Sequence, residues 1–576
     1  MNIFSGLHVG LRALETQRKS LDVTGHNIAN ANNEDYNKQR AIHKASYPYT
    51  APGLSNHGGA GQFGTGVEIA EVERVKDQFI NSQIFNETQT SGYWEEMQRG
   101  LEKVEYILNE PSDSGIDSAI NQFWNSLQDL SNNPSDNAAR NMVRENARNV
   151  IDSFQSVNNQ LTDYKKSINE NLSNAAAEIN NITKKMADLN KQIVSIKGSG
   201  QNPNDLLDQR DALYKDLSKL INVQSRQDAQ GNLIVSTQGM QLVNGSDAYQ
   251  LETRGFTDDP AIPRMEDKLI HTRTGTEIKP TSGKIAAWMD MRDEKLDFYA
   301  GRLNQMAKTM VTEFNKQHKA GYDANGVDGV NFFKPIDSSS EQSAIAQLDL
   351  TAAIKDLENG LSKIAAGNKN IDSFIELDTQ GNDLEGNYQV EVTNSATAGK
   401  LDLVINDSDG NKVYPPSGVE TIDVGTPINL EVDGSGNIQP PTTAVDTDNF
   451  TLTVNDTGKR NISLDKAIGN GENANALANL FNSEAATKGT ELEGTSLEGY
   501  FRTIVTSVGA ESSRAQEMKA NQDVVLKQLQ TLDRSISGVS LDEEMAKLIK
   551  YQQSYTAAAK YITKTEELLD SLMTIV

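Results

Sequence analysis

Residues 143–196 read VRENARNVIDSFQSVNNQLTDYKKSINENLSNAAAEINNITKKMADLNKQIVSI. Counting in steps of four and three from Val143 lands on Ala147, Val150, Phe154, Val157, Leu161, Tyr164, Ile168, Leu172, Ala175, Ile179, Ile182, Met186, Leu189, Ile193 and Ile196, and each is apolar or aromatic. One extra step of four, from Ile168 to Leu172, shifts the phase once, so the pattern is a coiled-coil seam with a single irregularity. At 1.5 Å per residue the helix is roughly 80 Å long. A compact domain has no use for such a length, and the spacing predicts a rod-like helical body.

Downstream, Gly198-Ser199-Gly200 breaks the helix and Pro203-Asn204 opens another, with Asn204 expected as its cap. Leu206, Leu213, Leu217 and Leu220 line one face of that second helix, so the two are expected to form an antiparallel hairpin. Beyond Asn222, the turn signals Gly231-Asn232 and Asn244-Gly245 predict β-hairpins up to about residue 280. Helix is expected again over about 285–318, carried by Ile285, Met289, Leu296, Tyr299, Leu303, Met306, Met310 and Phe314. Residues 370–465 read as a separate β region. Tyr388–Val392, Leu401–Ile405 and Phe450–Val454 alternate as half-buried strands do, with turns at Asp409-Gly410-Asn411 and Asp433-Gly434.

Both chain ends read as amphipathic helix. Phe4, Leu7, Leu11, Leu14, Leu21 and Ile28 make a stripe near the start, interrupted by Arg18 and Gly25. Near the end Gly538 stops one helix, and Ser540 with Glu543 forms a capping box for the next. Counting from Leu541 gives Met545, Leu548, Gln552, Tyr555, Ala559, Ile562, Glu566, Leu569, Met573 and Val576, nine of the eleven positions being apolar. Helix thus brackets sheet, and the fold class expected is α+β: an elongated multidomain chain with terminal coiled-coil helices, a long helical rod domain and inserted β-rich outer domains. The expected division is a terminal coiled-coil assembly region at 1–45 plus 535–576 and a helical rod at 46–222 plus 285–335 plus 465–534. A β-rich or mixed intermediate region follows at 223–284 plus 336–369, and a β-rich outer insert at 370–464.

Composition narrows the function classes. Among 576 residues, 80 acidic against 54 basic side chains give a net charge of −26. That field repels nucleic-acid backbones and anionic lipid. No apolar run reaches the roughly 18 residues a membrane span needs, so neither nucleic acid nor membrane insertion is expected. The start carries no basic segment and does not read as a cleaved signal peptide. There is no cysteine, which removes disulfides, thiolate metal sites and cysteine nucleophiles. Six scattered histidines show no metal-ligand spacing. Asp323–Gly329 imitates the start of a calcium loop, but its first glycine stands at position four and Lys334 at position twelve, so a turn is expected. Gly58–Gly66 lacks the strand and the Lys-Ser/Thr of a phosphate loop and reads as a plain loop. No catalytic residue, cofactor site or metal site is nominated, and the chain is expected not to be an enzyme.

The segment Asn27-Ile28-Ala29-Asn30-Ala31-Asn32-Asn33-Glu34-Asp35-Tyr36-Asn37-Lys38-Gln39-Arg40 resembles the N-terminal signature of bacterial flagellar axial proteins, with Asp35 where that family often has glycine before the aromatic residue. Three further stretches, Asn204–Asp211 (NDLLDQRD), Phe314–Asp323 (FNKQHKAGYD) and Ser535–Glu544 (SISGVSLDEE), look like characteristic pieces of the hook–filament junction members of that family. The resemblance covers the helical parts and leaves the 370–464 insert unmatched. It implies a structural subunit of the extracellular flagellum, transiently cytoplasmic and then exported by the flagellar type III system. The partners it implies are a homo-oligomeric ring, the hook protein, hook-associated protein 3, and an export chaperone on the C-terminal helix. The assembly residues expected are Phe4, Leu7, Leu11, Leu14, Leu21, Asn27, Ile28, Asn30, Leu541, Met545, Leu548, Tyr555, Ile562, Leu569 and Met573. Because an isolated amphipathic helix is marginal in water, residues 1–40 and 540–576 are expected to be largely disordered in the free monomer and to fold on assembly. The competing readings are another axial class (hook protein, hook-associated protein 3 or flagellin), a cytosolic coiled-coil scaffold and a flagellum-associated cell-wall hydrolase.

Overall fold

The computed structural model describes residues 3–575 apart from 48–63, 111, 113–114, 256–266, 326, 341, 369–374, 379–386, 395–399, 408–410, 416–417, 419, 424–426, 433–437, 440–447, 455–457, 464–470, 491 and 493. Along the chain come α1 (Ile3–Ala29), the antiparallel hairpin β1 (Gln39–Ala45) and β2 (Val67–Arg74), then α2 (Gln78–Leu108), α3 (Ile116–Asn132), α4 (Asn137–Gly198) and α5 (Asn204–Leu220). Seven short strands follow: β3 (Gln224–Gln227), β4 (Leu233–Thr237), β5 (Met240–Asn244), β6 (Asp247–Ala248), β7 (Leu251–Gly255), β8 (Asp267–His271) and β9 (Thr276–Ile278). They form sheets of order β3-β4-β5-β6 and β7-β8-β9. Then come α6 (Lys284–Asp290), a π-helical turn (Met291–Lys295) and α7 (Leu296–Ala320). The short strands β10 (Gly321–Tyr322) and β11 (Gly367–Asn368) pair across the one-turn helices α8 (Ala344–Gln347) and α9 (Ala352–Lys355).

The insert holds β12 (Ile375–Asp378), β13 (Asn387–Asn394), β14 (Lys400–Asp407), β15 (Lys412–Tyr414), β16 (Glu420–Asp423), β17 (Pro427–Val432), β18 (Ile438–Gln439), β19 (Asp448–Val454) and β20 (Gly458–Ser463). One antiparallel sheet has the order β12-β19-β17-β18; the other has β15-β14-β13-β20 with β16 also on β14. The three alternating runs expected as strands are β13, β14 and β19. The turns expected at 409–410 and 433–434 lie outside the described residues. The chain closes with α10 (Glu472–Asn479), α11 (Leu497–Ser537) and α12 (Leu541–Ile575). This is an α+β multidomain chain that divides into two compact units: 1–102, 165–295 and 511–576 in the first, and 103–164 with 296–510 in the second.

In α4 the seam is the buried face. Fourteen of its sixteen positions are buried; Tyr164, just before the phase shift, and Ile196, in the last turn, are half-buried. Polar residues on α4 then dock the sheets of the first unit. Asn180 Nδ2 donates to Leu251 O at 2.8 Å and its Oδ1 accepts from Leu251 N–H at 2.7 Å. Asn190, fully buried, treats Leu233 in the same way and reaches Gly245 O as well. In the second unit Phe123, Trp124, Phe314, Phe332, Phe333 and Phe481 pack ring on ring, with centroid separations of 5.0–6.1 Å. The helix expected over 285–318 is present, but the π-turn adds a residue to its winding. Met291 is buried in consequence, while Met289 is only half-buried.

Asn204 is not a cap. Pro203 holds the cap position, and Asn204 Nδ2 instead donates to Val72 O and Gln39 Oε1. Asp323 forms the expected turn. Its Oδ1 accepts from Asn325 N–H and Val327 N–H, and its Oδ2 takes the Lys363 ammonium at 3.0 Å. Of the Gly58–Gly66 loop, 58–63 lie outside the described residues.

Candidate functional site

The first and last helices run antiparallel. Gly6 lies against Tyr561 and Thr565, Gly10 against Ile562, and Asn27 against Glu544. The two glycines make a notch: a Cβ at Gly10 would stand 2.6 Å from Ile562 Cγ1, and one at Gly6 would stand 3.0 Å from the Tyr561 hydroxyl. A second side of α1 rests on the β1–β2 hairpin. There Thr16 Oγ1 donates to Val67 O at 3.1 Å, and Ser20 Oγ, which gives its proton to Thr16 O, accepts from His43 Nε2 at 2.9 Å.

Asn27 joins all three elements. Its Oδ1 accepts from the Tyr36 hydroxyl at 2.7 Å and from Gln39 N–H at 2.9 Å. Its Nδ2 donates to Gln39 O at 2.9 Å and to Glu544 Oε2 at 3.0 Å. Every donor and acceptor of the amide is used, and the side chain is buried. His26 Nδ1 donates to the Tyr36 oxygen at 3.0 Å, and the two rings meet edge-on. Burial, reinforced by the charges of Asp205, Asp208 and Glu544, raises the Tyr36 phenol far above its ordinary range, so it remains a donor.

The 204–211 stretch is tied into the same network. Asp208 accepts from Asn37 N–H at 3.2 Å, Asn37 Nδ2 at 2.6 Å and Arg74 at 2.7 Å. Burial raises its carboxyl above the usual value despite these donors. Asp211 is also pushed upward by burial, but the cations Lys76 at 2.6 Å and Arg74 at 2.9 Å outweigh that and hold it low. Arg210 spans to Asn190 Oδ1 and Gly231 O. Lys38 N–H donates to Ser537 O at 2.8 Å, and Ser540 caps α12 through Glu543 N–H. Three separately quoted stretches (27–40, 204–211 and 535–544) are thus one connected polar junction. The fourth lies in the second unit, where Asn315, Gln317 and His318 fix the loops around Phe333, Asn473 and Val330.

Of the expected assembly residues, Asn27 is buried in this junction, and Asn30 folds back onto His26 O to close α1. Leu7, Leu14, Leu21 and Ile28 are half-buried and Leu11 is 49% exposed; the Phe4 side chain lies outside the described residues. On α12 the four–three count is only half right. Glu544, Leu548, Tyr551, Ala558, Ile562, Thr565 and Leu569 form the α1-facing row, with Glu544 and Thr565 buried and the rest half-buried. Leu541, Met545, Tyr555 and Met573 are exposed instead, at 50%, 50%, 38% and 75%, with Ile549 at 50%. Counting from Leu541 puts Glu544 on the solvent side. Its burial is set by Asn27, 517 residues away in sequence. Gly6 and Gly10 also escape the sequence reading, although a glycine pair one turn apart in an apolar helix is a visible sign of close approach.

Both outward stripes share one face. On α1 the leucines lie roughly opposite Thr16 and Ser20, which touch the hairpin. On α12, Leu541 and Met545 stand roughly opposite Lys550, whose charge bears on His43 of that hairpin. The α1 leucines and the α12 run Leu541–Ile549 therefore both point away from β1–β2, at different levels along the antiparallel pair. In the structure the two ends are helices that pair with each other and leave Leu11, Leu541, Met545 and Ile549 exposed. Among the described residues no group of three or more His, Asp or Glu side chains is placed to hold a metal, and no helix is long and apolar enough to cross a membrane.

A family model described as "Flagellar hook-associated protein FlgK helical domain" matches residues 101–333, and "Flagellar basal body rod FlgEFG protein C-terminal" matches 535–575, the span of α12 and the turn before it. The chain is 30% identical over 582 residues to flagellar hook-associated protein 1 of Salmonella typhimurium, covering 98% of both chains. It is 26% identical over 572 residues to the Bacillus subtilis protein of the same name, covering 99% of this chain and 98% of that one. The solved structure of the flagellar hook junction protein FlgK from Burkholderia pseudomallei shares the fold, with a TM-score of 0.57 and 19% identity over 79% of this chain and all of that one.

Proposed function

The chain belongs to the flagellar hook-associated protein 1 family, structural components of the bacterial flagellum, and from that premise we propose that it forms the junction layer between hook and filament. It reaches its place through the flagellar type III system, assembles as a ring between the hook protein and hook-associated protein 3, and is held before export by a chaperone on α12. Neighbouring subunits cover the outward apolar side chains of the α1–α12 pair, Leu11 on α1 and Leu541, Met545 and Tyr555 on α12 among them. Their exposure is the observation supporting this reading. Three large apolar side chains, Leu541, Met545 and Ile549, each half-exposed within one short run of α12, are out of place on a helix that works alone. No catalytic role is proposed for any residue.

The test is co-sedimentation with isolated hooks. Met545→Asp and Leu11→Asp alter exposed positions, so the protein folds normally but fails to cap hooks. Normal capping by both variants sinks the proposal.

A further inference from the structure

An acid normally faces water on an amphipathic helix while leucine, methionine and isoleucine face the neighbour. The first turns of α12 invert this. The Glu544 side chain is 1% exposed, whereas Leu541, Met545 and Ile549 are each 50% exposed. Rolling α12 by roughly a quarter turn would bury Leu541 and Met545 against α1 and return Glu544 to water. In these first turns, taken by themselves, the hydrophobic effect favours that roll.

The opposing contact is directional. Glu544 Oε2 accepts from Asn27 Nδ2 at 3.0 Å, and Oε1 takes the Lys547 ammonium at 2.7 Å. Asn27 cannot turn to follow a moving partner, because Tyr36 and Gln39 fix the rest of its amide. Farther along α12, Ile562 is seated on Gly10 and Tyr561 and Thr565 on Gly6, so the later turns have their own steric register and Glu544 is the polar contact to α1 in the first turns. Sliding is opposed, since Lys38 N–H holds Ser537 O just before the helix starts. Roll of the first turns is the freedom that remains.

We propose that Glu544 is a positioning residue that pins the rotational phase of α12 and so keeps its apolar stripe outward. A buried polar contact that selects one packing at a cost in stability is a known use of such groups. The meaning of the outward stripe rests on the assembly reading above; the phase itself does not.

The 576 residues include no cysteine, so a single introduced thiol reports its own exposure. Met545→Cys and Ala558→Cys are labelled with maleimide in the free protein, with Glu544 intact, as E544Q and as E544L. The thiol at position 545 reacts faster than the thiol at position 558 in the parent and in E544Q, whose side chain still meets the Asn27 amide. In E544L the ratio of the two rates falls by about tenfold or more and the order reverses. Asn27→Leu, which leaves α12 untouched, gives the same reversal. An unchanged order in E544L overturns the proposal. So does a rise in both rates, which would mean that Glu544 attaches the helix without orienting it. Because no hooks are present, failure of the assembly reading would not alter these rates. A variant that rolls and still caps hooks would sink that reading while leaving the pin in place.

Discussion

His318 couples pH to the packing of the second unit. Its Nδ1–H donates to Val330 O at 2.6 Å and its Nε2 accepts from Ala365 N–H at 2.9 Å, a pair of bonds that only the neutral ring can make. Burial pushes it down to about 4; the Val330 bond and Asp323 act upward, and Arg140 downward. The unfolded chain therefore holds more protons between about pH 4 and 6.5, so stability from this group is full above 6.5 and is lost as pH falls toward 4. Between pH 7.5 and 4.5 the loss is about 3 kcal/mol. Urea unfolding at the two pH values, with His318→Gln as reference, reads it: the variant is less stable at pH 7.5 and lacks that share of the slope. In the first unit, Arg74 bridges the buried carboxylate of Asp208 and the part-buried one of Asp211. Arg74→Met leaves buried Asp208 without its cation, while Asp211 keeps Lys76, and costs about 3–5 kcal/mol in chemical denaturation.

Helices α4, α1 and α12 show how unevenly elements can be read. In α4 the spacing decides everything, because an uninterrupted apolar row has one way to be buried. Ile168→Ala, fully buried, costs about 2–5 kcal/mol. Ile196→Ala, half-buried in the last turn, costs less than about 1 kcal/mol, and thermal unfolding of the two variants tests the contrast. In α12 the same counting puts only Leu548, Ile562 and Leu569 on the α1-facing row, since the apolar row and the buried row differ. Residues remote in sequence decide that, Asn27 for Glu544 and the Gly6–Gly10 notch for Ile562. Gly10→Val fills the notch and loosens α12; faster trypsin cleavage at Lys560 and Lys564 than in the parent is the expected result, and equal cleavage would mean the notch is dispensable.

Across the whole molecule, what is legible in the sequence follows from how local its cause is. The long seam, the hairpins after residue 222 and the alternating strands of the insert are written in neighbouring residues. Sheet order is not, and neither is the junction that gathers Asn27, Tyr36, Asn37, Arg74, Asp208 and Glu544 from four separate stretches. The quoted motifs mark the family correctly, but only the structure shows that three of them touch. The central claim is that the open face of the α1–α12 pair becomes covered on assembly. The most direct measurement is maleimide labelling of Met545→Cys in the free protein and after it has capped isolated hooks. Fast labelling when free and protection of about tenfold or more on hooks is the predicted result; equal rates in the two states would contradict it.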